Sequence, residues 1–400
     1  MKLPSHGHIT YCSNIHPGET WPEVLTSLQT HLPAIKLQVS PNGPMGIGLR
    51  LSNQASIELK KLGIEPFLEW MQLQGFYVFT MNGFPYGGFH RQTVKDQVHQ
   101  PDWTTDERVK YTERLFDLLA KMVPEGMDGG ISTSPLSYKP WWTMEQHHTV
   151  FRAATENLLK IVVQLHRYQQ QGITLHLDIE PEPDGLIENS LETVRYFEEW
   201  LMPLGRKVLS GQLNVTEDEV EKIIKRHVMV CYDVCHFAVT YESPAEAMGR
   251  FLEAGIGIGK IQISSALKGN FTGNQYSREE YAKVFKSLDE PTYLHQVVAR
   301  DSENKLHQYQ DLPDALNYLS QPDVIVWRTH FHVPVFIESY GLLQSTQGDI
   351  REVLQLWINS PMTNHLEVET YTWEVLPDEL QTDITTSIAR ELHWVIEQLR

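Results

Sequence analysis

Cysteine is scarce: Cys12, Cys231 and Cys235 are the only three in 400 residues, an odd number that excludes a disulfide framework and fits a reducing compartment. Cys231 and Cys235 have a metal-like spacing, but no second cysteine pair completes a zinc site, so all three read as structural thiols. No run of 18 apolar residues occurs, which excludes a helical membrane span. The opening residues, "MKLPSHGHIT", lack the apolar stretch of a secretory leader, and a cytoplasmic location is the expectation. Basic residues number 33 against 51 acidic ones, giving a formal net charge of −18 with no Lys/Arg block. That excludes a surface built to track phosphates, so nucleic acid is not an expected partner. Linker composition, solenoid repeats and low-complexity tracts are also missing, which points to a single domain over residues 1–400. So is a G-x-G-x-x-G turn: "MGIGLR" does not have the pattern and leads into no convincing helix, which argues against a doubly wound dinucleotide fold.

What the chain does have is alternation. In "TVFRAATENLLKIVVQLHRYQQQG" an apolar stripe of Val150, Ala154, Leu158, Ile161 and Leu165 marks a helix, with Gly172 placed to stop it. The strand "ITLHLDIE" follows. Thr216 to Glu219 has the form of a capping box opening a helix before the strand "VMVCYDVCH". Ser243, Pro244 and Glu246 open the next helix, which leads to "KIQIS". "TYLHQVV", "WRTHFHVPVF" and "HLEVETYTW" continue the pattern, and a last helix runs through "ITTSIARELHWVIEQL". In the first half "HITYCSN", "IKLQVS", "FYVFTMN" and "GGISTSP" read as short strands. Strands alternating with helices imply parallel pairing through right-handed crossovers, and eight of them close as a (β/α)8 TIM barrel. Long connections follow strands: "GFPYGGFHRQTVKDQVHQPDW", "ALKGNFTGNQY" and "ARDSENKLHQYQD". In a barrel these are insertions on the C-terminal face, where sites are built.

Side chains alternate across a strand. Leu175, Leu177 and Ile179 share one face, while His176, Asp178 and Glu180 share the other. Cys231 and Asp233 go together, as do Arg328, His330 and His332, and His365, Glu367 and Glu369; Gln262 lies opposite Ile261 and Ile263. Helices cover the apolar faces, so the polar faces point to the barrel axis, where unpaired charge is costly. Converging carboxylates and imidazoles need a cation or a dense hydrogen-bond network, and a metal centre is the expectation.

The motifs "DIEPEP", "YDVCH", "IQIS" and a terminal "VET" strand resemble the xylose isomerase-like barrels, a superfamily of sugar isomerases and epimerases with endonuclease IV as a more distant branch. "HITYCSNIHPGETW", "YLHQVV", "HFHVP" and "HLEVETYTW" resemble, over nearly the whole chain, the EboE-type metabolite traffic proteins of bacterial ebo clusters. The resemblance implies one divalent ion held by Glu180, Asp233, Gln262 and Glu369. Glu367 competes with Glu369, since the strand register decides which of them reaches the ion. His236, the end of D-x-x-H, would bind substrate or a further metal. His330 and His332 depart from the isomerase pattern and are similar to the extra ligands of the nuclease branch, leaving the metal count open. Mn²⁺ or Zn²⁺ is favoured, with Mg²⁺ as a possibility.

The leading functional expectation is a metal-dependent isomerase or epimerase of a small sugar- or polyol-like metabolite, with Glu180 and Glu369 as base and acid and His236 polarising an oxygen. A phosphoester hydrolase and a non-catalytic metabolite-binding protein, with partners in the same biosynthetic or export cluster, are the alternatives. His8, Asn14 and His16 lie at or after the first strand and can line the same mouth. His295 reads equally as a buried hydrogen-bonded histidine or a site residue, and Arg300 as an anion clamp or a surface ion pair. Glu182 and Asp184 read as solvated loop acids.

Overall fold

The computed structural model describes residues 1–4, 6–84, 95–273, 276–289, 294–319, 321–371 and 382–400. Eight parallel strands form the barrel: β1 (His8–Tyr11), β2 (Met45–Arg50), β3 (Phe76–Asn82), β4 (Gly129–Thr133), β5 (Leu175–Ile179), β6 (Val228–Asp233), β7 (Ile258–Ile263) and, after an insertion, β14 (His365–Val368). Their order is β1-β14-β7-β6-β5-β4-β3-β2, every hydrogen-bonded neighbour parallel. The ring closes between its two ends. Cys12 bridges Gly48, and Thr10 Oγ1 donates to Gly46 O at 2.9 Å and accepts from Gly48 N at 3.1 Å. The fold is a TIM barrel.

The insertion carries six short strands: β8 (Leu267–Asn270), β9 (Val297–Asp301), β10 (Leu306–Tyr309), β11 (Val324–Thr329), β12 (Ser339–Tyr340) and β13 (Leu343–Ser345). They form an antiparallel sheet of order β10-β9-β11-β8-β13-β12. Leu267, Phe285, Val297, Trp327 and Phe331 build its own apolar cluster, apart from the main one between barrel and helices.

Three strand assignments need correction. "IKLQVS" is the end of the helix Trp21–Val39, whose buried Leu28, Leu32, Ile35 and Val39 recur at helical spacing. The true second strand is "MGIGLR", wholly buried. Gly48 serves close approach there, since a Cβ would stand 1.8 Å from Glu367 Oε1 and 2.5 Å from the Tyr11 carbonyl. "TYLHQVV" and "WRTHFHVPVF" contribute β9 and β11 to the inserted sheet, not to the barrel; Thr292 and Tyr293 lie outside the described residues. So do residues 85–94 of the loop after β3, Asn274 and Gln275 of "ALKGNFTGNQY", and the last two residues of "HLEVETYTW".

The helices follow their sequence signals. The stripe on Met144–Gln170 is buried, and the capping box at Thr216 is formed. Among the described residues no helix is long and apolar enough to cross a membrane.

Candidate metal centre

Each acid arrives on a strand end. Glu180 follows β5, its backbone held by Thr133 O at 2.9 Å. Asp233 ends β6 and also caps the short helix Val234–Val239, accepting from His236 N at 3.1 Å and from Ser264 Oγ at 2.7 Å through Oδ1. One turn of helix therefore places His236 beside Asp233, which is what D-x-x-H spacing accomplishes. Glu369 follows β14; its N–H bonds Ile263 O, and its Oε1 accepts from Asn14 Nδ2 at 3.0 Å. Glu180, Asp233 and Glu369 are all buried and offer oxygens within 4.8 Å of one another. Burial first, then the neighbouring acids, pushes the carboxyls of Glu180 and Glu369 well above their usual range. Glu180 Oε2 and Asp233 Oδ2 are buried without a hydrogen-bond partner. A divalent cation fits this donor set: it would relieve the repulsion and satisfy both orphaned oxygens.

A second group shares Asp233. Asp233, His236 and His332 lie within the same 4.8 Å limit, as do Cys235, His330 and His332. His236 Nδ1 faces the Pro181 carbonyl at 3.0 Å, so that nitrogen carries the proton. Gln296 donates to Pro183 O, turning its own Oε1 toward His330 Nδ1 at 2.8 Å, so His330 is protonated there as well. The bare Nε2 atoms of His236 and His330 then face each other at 3.1 Å, with His332 Nε2 at 3.2 Å from the latter. Two lone pairs at that distance require a proton or a metal ion between them. Burial holds the His330 imidazole well below its normal pKa, with His236 and His332 adding to the effect, so a proton is disfavoured.

Glu180, Glu369, His236, His330 and His332 line a cavity with Asn14, Glu182, Gln296 and Tyr371. Glu182 is a correction: it is not solvated but 13% exposed and 3.4 Å from His99 Nδ1, and burial pushes its carboxyl up to about 8. Asp184 is partly buried, its carboxyl pushed up by burial to about 6. Glu367 stays deeper, bound to Lys260 Nζ at 2.6 Å, while Glu369 joins the acids. Gln262 donates to Asn82 Oδ1 at 3.0 Å and accepts from Cys231 Sγ at 3.2 Å, so both ends of its amide are engaged within the barrel.

Four expected residues lie elsewhere. His8 begins β1 at the other end of the barrel, beside Tyr77. His16 bonds the Tyr11 hydroxyl at 2.8 Å and stacks on His31, turned toward the helical layer. Arg300 lies on β9 over the ring of Tyr241, outside the cavity lining. His295 stacks on Phe331 and bonds the His330 carbonyl at 3.0 Å, supporting the loop rather than lining the cavity. Sequence reasoning missed Lys260, Gln296 and His99. Lys260 was findable, since it shares the inward face of "KIQIS" with Gln262.

No protein-family model matches the chain, and no curated protein matches it by sequence. Among solved structures, a xylose isomerase-like TIM barrel protein from Mycobacterium smegmatis, in complex with magnesium, matches with a TM-score of 0.51 at 11% identity, covering 100% of this chain and 98% of that one. L-ribulose 3-epimerase gives a TM-score of 0.46 at 10% identity, covering 98% and 94%. The IolI protein with a bound zinc atom gives 0.42 at 11%, covering 92% and 97%. At these identities the likeness is one of fold: the chain has the TIM-barrel fold of the xylose isomerase-like proteins.

Proposed function

We propose that this barrel binds a divalent cation, Mn²⁺ or Zn²⁺ with Mg²⁺ as an alternative, and isomerises or epimerises a small sugar- or polyol-like carbonyl compound. The supporting observation is the buried trio of Glu180, Asp233 and Glu369 with two unpartnered oxygens, of which Glu180 and Glu369 line a cavity and Asp233 lies buried behind them. When bound, the cation would supply Lewis-acid polarisation of adjacent substrate oxygens. Asp233, fixed by Ser264 and the helix it caps, would hold the ion, whereas Gln262, with both ends of its amide engaged in the barrel, stays outside the donor set. Glu180 and Glu369 follow separate strands, β5 and β14, so one would remove a proton from the carbon next to the carbonyl and the other return it. Asn14 orients Glu369, and His236 would hold a substrate oxygen. The sequence resemblance to EboE-type proteins would set this chemistry in metabolite biosynthesis or traffic.

The test is incubation of metal-loaded protein with a broad panel of ketoses and aldoses in deuterated water. Carbon-bound deuterium from the parent, and none from Glu369→Gln, supports the reading. No label from any member, with metal retained, would leave a metabolite-binding protein. The facing Nε2 atoms of His236 and His330 favour a second reading, metal-dependent phosphoester hydrolysis with ions on the imidazoles as well. Metal lost on Asp233→Asn discriminates: one ion per chain favours isomerisation, two favour hydrolysis.

A further inference from the structure

At the opposite end of the barrel a second cluster forms that the proposed chemistry does not use. Asp128 directly precedes β4, His176 is the second residue of β5, and His365 opens β14. His365 lies four residues before Glu369, about 13 Å along the strand at roughly 3.3 Å per residue. Asp128 Oδ2 stands 3.6 Å from His176 Nε2 and 3.6 Å from His365 Nε2. That spacing is too long for a hydrogen bond. It matches the edge of a metal tetrahedron: bonds of about 2.1 Å at the tetrahedral angle set two ligand atoms about 3.4 Å apart.

The imidazoles are prepared for such an ion. His176 is 1% exposed, and its Nε2 has no hydrogen-bond partner. Its Nδ1 lies 2.6 Å from Asp178 Oδ1, and a carboxylate behind a histidine fixes the tautomer that leaves Nε2 bare for a metal. Gly259 makes room for that carboxylate, because a Cβ there would stand 1.9 Å from Asp178 Oδ1. His365 Nε2 also lies 3.3 Å from the Asp128 carbonyl; moving its proton to the unpartnered Nδ1 frees Nε2. Asp178 and Asp128 flank the His176 imidazole on its two nitrogen sides, so the pocket attracts a cation of either kind. A proton on Nε2, however, makes no hydrogen bond across 3.6 Å. The Asp128 side chain is 28% exposed, leaving a solvent approach and a position for water.

We propose that Asp128, His176 and His365 form a second divalent-metal site at the N-terminal end of the barrel, of two-imidazole, one-carboxylate type suited to Zn²⁺ or Co²⁺. Its role is structural. β4 and β5 are not neighbours of β14, so the ion ties strands together across the barrel floor, including the strand that returns from the insertion.

The experiment uses the full chain, stripped by chelator and titrated with Co²⁺ by equilibrium dialysis and visible absorption. Asp128→Asn keeps the size of the side chain and an acceptor for Asn364. It is expected to lose one ion per chain and the tetrahedral absorption band, in the parent and in the Asp233→Asn background alike, with turnover at the mouth unchanged. Unchanged metal count and affinity in Asp128→Asn overturn the proposal. If that variant does not fold, anomalous diffraction at the zinc edge from zinc-soaked parent crystals decides. A peak among the three side chains supports the site, and an empty position beside an occupied mouth refutes it.

Discussion

Lys260→Met removes the cation beneath the carboxylate cluster. Lys260 Nζ is fully buried, 2.6 Å from Glu367 Oε2, with Ser132 Oγ at 3.2 Å and Asn82 Oδ1 and Met81 O at 3.3 Å. Burial lowers its pKa, but Glu367 more than compensates and the amine stays charged. Methionine matches the length of the chain and leaves Glu367 buried with only the Asn82 amide as donor among these contacts. Breaking a buried pair in this way costs about 3–5 kcal/mol. An unfolding entropy of roughly 2.1 cal/mol/K per residue, over the whole chain unfolding as one unit, converts that to a fall in melting temperature of about 4–6 °C. Adding Glu367→Gln removes the stranded charge, so the double variant should recover most of the loss, a coupling of about 2 kcal/mol or more. Lys260 also lowers the pKa values of Glu180 and Glu369, so the single variant should gain more from added Mn²⁺ than the parent does. Melts followed by far-ultraviolet circular dichroism, with and without metal, measure all of this. A Lys260→Met variant that melts within about 1 °C of the parent refutes the reasoning and makes the pair electrostatically neutral.

Further outcomes follow from the same coordinates. Asp233→Asn should bind metal more weakly and lose most of the metal-induced stabilisation, which for the parent reaches about 2.7 kcal/mol at a hundredfold excess over Kd; equal melting shifts in both proteins would contradict it. Glu391 accepts from Val335 N at 3.0 Å and Thr370 Oγ1 at 2.7 Å, and burial pushes its carboxyl up to about 8. The folded pKa lies above the unfolded one, so its stability contribution is complete below about pH 4.5 and is lost as pH rises to about 8, at most about 5 kcal/mol. Glu391→Gln should therefore gain on the parent over that window in urea titrations; parallel pH profiles would exclude the assignment. Gly48→Ala meets backbone at the barrel seam and should cost about 3 kcal/mol or more, whereas a neutral result would mean the seam is loose.

Strand faces were the legible part of this chain. The alternation in "LHLDIE", "CYDV" and "HLEVET" separates inward polar from outward apolar residues, and the eight-stranded barrel follows from how often it recurs. Short apolar segments carry no such guarantee, because "IKLQVS" fits a strand template as well as a buried helix end, and only the helical spacing back to Leu28 decides. The inserted sheet was illegible for a different reason. β9 and β11 look locally like barrel strands, and what excludes them from the barrel is antiparallel pairing between segments far apart in sequence. His330 and His332 reach the cavity all the same, but from the turn after β11 rather than from a strand face. Glu182 misled because two prolines around an acid suggest a solvated loop, while here the loop folds over the cavity.

The origin of each donor divides the candidate metal centre in two. Glu180, Asp233 and Glu369 follow from β5, β6 and β14, so the barrel alone assembles the oxygen donors. His330 and His332 come from the insertion, and their loop is held by His295 and Gln296 from the same insertion. Among the described residues of this centre, His236 is the one nitrogen donor from the barrel. A chain with a folded barrel and an unfolded insertion would therefore keep an oxygen-rich site suited to Mg²⁺ or Mn²⁺ and lose the imidazoles that draw Zn²⁺. Substitutions of Trp327 or Phe285 in the apolar cluster of the insertion, neither of them a donor, should shift metal preference before they abolish binding. On the proposed reading the insertion would set which metal the barrel selects, while the barrel strands alone would supply the oxygen donors.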